Sequence, residues 1–151
     1  MQIVSINISL ILAVVLVVLD QLVKHWVATS IALGTSHVVI PGVLALTDLH
    51  NDGAAWSMLQ GQQWFFAIIS VVAIAVIGYL MFRWRRQWPL MIGLVLVLAG
   101  TLGNFIDRLM NGYVVDMFEL LFVNFPVFNV ADSCLTIGVL ILIIAILQED
   151  D

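Results

Sequence analysis

Residues 64–82 read WFFAIISVVAIAVIGYLMF, an apolar run without a single charged side chain. A helix needs about 20 residues to cross a hydrocarbon core of roughly 30 Å, and this run is of that length. It does not alternate between apolar and polar positions, as a strand of a lipid-facing barrel must. Three further segments of the same kind flank it, at about residues 6–28, 90–106 and 132–147. Over its 151 residues the chain is 63% hydrophobic and 10% charged, with a mean hydropathy of +1.15. Soluble domains run near 45–50% apolar and about 25% charged. The fold expected is therefore an all-α integral membrane protein, a four-helix transmembrane bundle in one domain spanning residues 1–151.

The same arithmetic excludes other classes. Apolar content is too high for disorder, and the lone Cys134 rules out a disulfide scaffold. Five Lys and Arg against ten Asp and Glu give a formal charge of −5, which offers no basic footprint for nucleic acid. The first segment lacks a basic residue ahead of its apolar stretch and an A-x-A-like site after it, so it is expected to be a retained span.

Orientation follows from the basic residues. Arg83, Arg85 and Arg86 crowd the short connection at 83–89, flanked by Trp84 and Trp88, which predicts a cytoplasmic loop. Both termini then face the cytoplasm, and the connections at about 29–63 and 107–131 lie outside. The first outer connection carries β-like runs, His37–Ile40 and Val43–Leu46, and predicts a small stranded cap. The second is rich in aromatics (Tyr113, Phe118, Phe122, Phe125, Phe128) and predicts a loop lying among lipid headgroups.

Carboxylates near a bilayer are costly, so their placement is informative. Apart from the acidic tail Glu149-Asp150-Asp151, the acids are Asp20, Asp48, Asp52, Asp107, Asp116, Glu119 and Asp132. On the topology above all of them fall at the outer ends of the spans, together with Lys24 and Arg108. Asp20 and Lys24 stand one helical turn apart and can pair. Asp107 reads as an interfacial carboxylate, solvated or paired. Gly100, Asn104 and Arg108 share one helix face, and Asn129 lies three before Asp132. Asp132 can cap the fourth helix; Asp116 sits in an apolar context with no adjacent cation.

Other chemistries find less support. His25, His37 and His50 lack H-E-x-x-H spacing, so no zinc protease is indicated. Cys134 has no histidine near it in sequence, and Ser57, Ser70 and Ser133 lack a nucleophile elbow. No phosphate-binding loop or dinucleotide fingerprint occurs. A four-span proton-coupled transporter using Asp20 or Asp132, or a subunit that docks a partner on its polar face, are the remaining alternatives.

Five segments carry a resemblance: Asp20-Gln21-Leu22-Val23-Lys24, Asn51-Asp52-Gly53-Ala54-Ala55-Trp56, Gly103-Asn104-Phe105-Ile106-Asp107-Arg108, Val114-Val115-Asp116 and Phe128-Asn129-Val130-Ala131-Asp132. In order and in spread along the chain, they resemble the lipoprotein signal peptidase (signal peptidase II) family. Ala99, Met117 and Trp56 depart from that family's usual residues. The resemblance implies a metal- and cofactor-independent aspartic endopeptidase of the bacterial plasma (inner) membrane. It would remove signal peptides from prolipoproteins by cutting before a diacylglyceryl-modified cysteine. Asp116 and Asp132 would be its catalytic pair. Asn51, Gly53, Asn104, Arg108 and Asn129 would shape the site and contact substrate, and Asp20 and Lys24 would support it. Its partners would be lipid-modified prolipoproteins and the bilayer, not nucleic acid, and it would act as a monomer. Two carboxyls sharing one site cannot both ionise easily, so one would act as acid and the other as base. Asn51 and Asn129 are candidate uncharged donors to the peptide backbone or the developing oxyanion.

Overall fold

The computed structural model describes residues 2–54 and 58–149, with side chains for 7–54 and 58–148. Ala55 and Trp56 of the second motif, Ser57, and Asp150 and Asp151 of the tail lie outside the described residues. The elements are α1 (Gln2–Ser30), β1 (Ser36–Ile40), β2 (Leu44–Asn51), α2 (Gln63–Arg83), α3 (Trp88–Asn111), β3 (Val114–Leu120) and α4 (Val130–Glu149). Among the described residues, four helices are long and apolar enough to cross a membrane. The protein is a multi-pass membrane protein.

The helix α3 is the axis of the bundle. Of its apolar stretch 56% is buried inside the protein, against 17–22% for the others, whose side chains face outward as lipid-facing helices do. Pro89 starts α3 where a missing N–H costs nothing, and Gly112, at φ 77°, closes it in the left-handed conformation with its N–H donating to Arg108 O. The helix runs past Ile106, where the sequence reading ends the third span. Asp107 and Arg108 find partners on neighbouring elements, so neither has to break the helix.

Lipid tails are as apolar as leucine, and helix association in a bilayer therefore rests on close packing more than on hydrophobic burial. Ile77, Met81, Met91, Leu94, Val95 and Leu98 fill the α2–α3 contact with Ala13 of α1. Small residues, Gly93, Gly100 and Gly138, let α3 and α4 approach directly.

Outside the bundle, β1, β2 and β3 form an antiparallel sheet in that order. The first two strands cover the β-like runs expected from sequence. The third departs from expectation: Val114-Val115-Asp116-Met117, read as part of a headgroup loop, is a fully buried strand segment. Its register sets Asn51 opposite Val114 and Leu49 opposite Asp116. Val115 and Met117 pack on Val27 and Ile31 at the end of α1, so the sheet is fastened to the bundle.

Candidate active site

The polar residues converge where the sheet meets the outer ends of α1, α3 and α4. At the start of α4 the side chain and backbone of two residues cap each other. Asn129 Oδ1 accepts the Asp132 N–H at 2.8 Å, and Asp132 Oδ2 accepts the Asn129 N–H at 3.2 Å. This reciprocal pair satisfies helix-end donors that have no partner inside the helix. The capping expected for Asp132 is therefore present, and it leaves Oδ1 of the same carboxylate available to accept Asn104 Nδ2 at 2.7 Å.

Asp116 lies on β3 and is almost completely buried. Its Oδ1 accepts Asn129 Nδ2 at 2.7 Å, and its Oδ2 accepts Asn51 Nδ2 at 3.0 Å. Asn51 is itself fixed by a turn, its Oδ1 accepting the Gly53 N–H at 2.9 Å. Three asparagines thus direct N–H groups at the two carboxylates, and none carries a charge that would neutralise them. Burial, and then the nearby Asp132 carboxylate, push the Asp116 carboxyl up to about 7 despite these hydrogen bonds.

Behind this layer sits an ion triad. Lys24 Nζ is 2.9 Å from Asp20 Oδ2 and 3.0 Å from Asp107 Oδ2, and all three side chains are buried. Asp20 Oδ1 accepts the Ala131 N–H at the start of α4, and Asp107 Oδ2 accepts the Val115 N–H on β3. Gln21 Nε2 adds a hydrogen bond to Asp107 Oδ1 at 2.9 Å. Breaking such a buried cluster by removing one member is strongly destabilising, because charge is left unpaired. Asp20 and Lys24 are thus more than a pair along one helix: the triad pins α1, α3, α4 and β3 to one another.

Arg108 forms the far wall. Its Nη2 donates to Gly53 O at 3.3 Å, and its guanidinium lies 4.6 Å from the centre of the Phe66 ring. Its buried Nε has no hydrogen-bond partner among the described residues. Asn51, Gly53, Asn104, Arg108, Asp116 and Asp132 all line one cleft of about 580 Å³, completed by Phe125, Phe128, Leu135 and Ile137. Its lining thus combines polar groups with a set of apolar side chains.

Every candidate from the sequence is accounted for in this geometry. Asn51, Gly53, Asn104, Arg108, Asn129, Asp116 and Asp132 come together; Asp20 and Lys24 stand one layer back. The amides of Asn51 and Asn129, expected to meet the peptide or the oxyanion, point instead at Asp116. Gln21 and Phe66 are not singled out by the sequence, and Asp107, read there as an interfacial carboxylate that is solvated or paired, is paired but buried. For Asp107 a signal existed, since one lysine in an apolar chain with several acids is a natural meeting point for more than one of them.

Comparison with known proteins follows the same residues. The family described as signal peptidase (SPase) II matches residues 12–148. The chain is 57% identical over 143 residues to the lipoprotein signal peptidase of Lactiplantibacillus plantarum, covering 95% of this chain and 96% of that protein. It is 47% identical over 143 residues to the protein of that name from Lactococcus lactis subsp. lactis, covering 95% of each. A solved structure described as a bacterial membrane enzyme superposes with a TM-score of 0.92 at 40% identity, covering 97% of this chain and 91% of that one.

Proposed function

The chain belongs to the signal peptidase II family, proteases that cleave prolipoprotein signal peptides, and on that premise we propose that Asp116 and Asp132 do the cutting. The observation that carries this reading is that two carboxylates, Asp116 buried and Asp132 half-buried, each held by neutral amides, open into the same cleft. One carboxyl is protonated and the other ionised. The ionised one takes a proton from water as the water oxygen bonds to the scissile carbonyl carbon. The protonated one gives its proton to the carbonyl oxygen. As the tetrahedral centre collapses, the first carboxyl hands its proton to the amide nitrogen and the C–N bond breaks. A hydroxyl proton of the diol returns to the second, and the pair ends as it began. This aspartic mechanism needs neither metal nor cofactor.

The cleft suits a substrate with one polar and one lipidic side. The scissile peptide faces Asn51, Gly53, Asn104 and Arg108, with Asn129 buried behind Asp116, while the diacylglyceryl group of the cysteine after the cut lies toward Phe125, Phe128, Leu135 and Ile137. Arg108, which gives one N–H to Gly53 O, keeps further donors for a substrate carbonyl. Asp20 and Lys24 support the site from behind. The test is cleavage by purified protein of a diacylglyceryl-modified proprotein beside its unmodified form, with and without a chelator. Cutting of the lipidated form alone, at a rate the chelator does not change, is expected. Equal cutting of both, or loss with the chelator, overturns the substrate or the metal-independent chemistry respectively.

The whole chain forms one membrane domain in the bacterial plasma membrane and works as a monomer, each site residue coming from a single chain. The charges of Arg83, Arg85 and Arg86 at the α2–α3 turn support a cytoplasmic turn, with both termini on that side and the site on the outer face. A membrane-impermeant thiol reagent applied to intact cells is then expected to label Gln62→Cys and to spare Arg86→Cys. The reverse pattern inverts the topology.

A further inference from the structure

Two carboxylates that share a site need a device that tells them apart, and the hydrogen bonds behind the cleft contain one. Asn104 Oδ1 accepts Lys24 Nζ at 3.1 Å and Asn129 Nδ2 at 3.1 Å. A lysine ammonium can only donate. Asn129 cannot turn over, because its own Oδ1 is held by the Asp132 N–H. The carbonyl end of the Asn104 amide is therefore committed, and its N–H end has to face Asp132 Oδ1, at 2.7 Å. A chain of donors starting from a cation thus ends on Asp132, and each bond in such a chain polarises the next. Asp116 receives no equivalent: its oxygens accept from Asn51 and Asn129 only through neutral amides, Asn51 being anchored on the backbone of Gly53. Asp132 also stands in the first turn of a 20-residue helix, where the dipole favours negative charge, whereas a strand offers Asp116 little.

Resting on the reading of Asp116 and Asp132 as the working pair, we propose that Asn104, turned by Lys24, is a positioning residue that places the negative charge on Asp132 and leaves the shared proton on Asp116. The charged and titratable groups around Asp132 are Asp20 and Lys24 from α1, Asp107 and Arg108 from α3, Asp116 from β3, and Cys134 on α4 itself. Asp20, Lys24 and Asp107 sum to one negative charge, so the triad does not act on Asp132 as a net cation. Its influence passes through the direction in which it holds the Asn104 amide. Asp116 is also the more completely enclosed of the two, Asp132 being half-buried, which agrees with this division. Asp132 is then the base that activates water, and Asp116 the acid that polarises the carbonyl.

The decisive variant is Asn104→Leu, similar in size, unable to donate, and leaving the triad intact. The rate of cleavage against pH is bell-shaped for a pair with one proton. The acidic limb of Asn104→Leu is expected to move upward by about one to two pH units, the loss of one charge-assisted hydrogen bond to the anion. A residue of purely structural importance scales the rate and leaves the limb where it was, and that result overturns the proposal. Asn104→Ala is likewise unable to donate and leaves Lys24, Asp20 and Asp107 in place. It is expected to move the limb in the same direction should Asn104→Leu not fold.

An infrared difference measurement needs no turnover. As pH falls from neutral, a protonated-carboxyl band is expected to appear earlier in Asp132→Asn, where burial still raises Asp116, than in Asp116→Asn. Adding Asn104→Leu to Asp116→Asn is expected to bring the Asp132 band on at higher pH. A band that appears earlier in Asp116→Asn than in Asp132→Asn overturns the assignment. Turnover surviving in Asp116→Asn or Asp132→Asn would instead indict the pair itself, which keeps the two failures apart.

Discussion

Asp116→Asn and Asp132→Asn are each expected to yield a folded protein whose cleavage of a lipid-modified proprotein falls by on the order of 10³-fold or more, the scale of losing a positioned acid or base. Asparagine keeps the shape and the oxygen that each carboxylate offers to its neighbours. At Asp116, one oxygen can still accept from Asn129 or Asn51. At Asp132, the cap to the Asn129 N–H can still form. Thermal unfolding within a few degrees of wild type, with turnover abolished, separates chemistry from folding. Near-normal cleavage by either variant removes that residue from the mechanism. Wild-type turnover has a pH signature of the same origin. The Asp116 carboxyl, raised to about 7 by burial and then by Asp132, is protonated below that pH and ionised above it. Cleavage is therefore expected to decline as pH rises through about 7, because the proton that polarises the carbonyl is lost. A rate still climbing well above that point contradicts an acid role for Asp116.

Gly100→Ala carries the second large effect. A methyl group there would fall on Ala131 O and lie 2.7 Å from Leu135 Cγ and 3.0 Å from the Leu135 N. A backbone carbonyl in the first turn of α4 cannot swing aside as a side-chain tip can, so α4 must move away from α3. Overpacking of this kind costs about 1–3 kcal/mol. The segment displaced is the one that carries Asn129 and Asp132, and a shift near 1 Å can cost about 10²-fold in rate. Gly78→Ala on α2 is the control: its added Cβ meets nothing within 4 Å, and the change is expected to be neutral or slightly stabilising. Equal behaviour of the two variants in unfolding and cleavage assays refutes the close-approach argument.

What could be read from the sequence was whatever is local. Four apolar stretches announce four helices because hydropathy acts over a window no longer than the helix itself. The gathering of acids at one end follows once the spans are placed. The strand β3 escaped because its decisive residues, Val114 to Met117, are buried on both faces and do not alternate. Its partner β2 lies more than sixty residues upstream, with two helices between. The direction of each asparagine amide was illegible for another reason: an amide turns by half a revolution without changing the sequence, and only its neighbours decide which end faces the carboxylate. Asp107 shows the same limit. Its place at the end of a span suggested an interfacial carboxylate, whereas Lys24, arriving from α1, draws it into the interior.

Active sites are where proteins commonly give up stability for the sake of activity. The start of α4 is an exception built from two residues. Asn129 and Asp132 close the helix end reciprocally, and helix termini favour such residues whether or not any reaction takes place there. With Asp132 in its proposed role, selection for a sound fold and selection for a working enzyme press on it in the same direction. Asp116, in its own proposed role, enjoys no such double insurance: on its strand only turnover repays the burial of a carboxyl. Of the two, Asp116 is the position at which a sturdier but inert protein lies one substitution away.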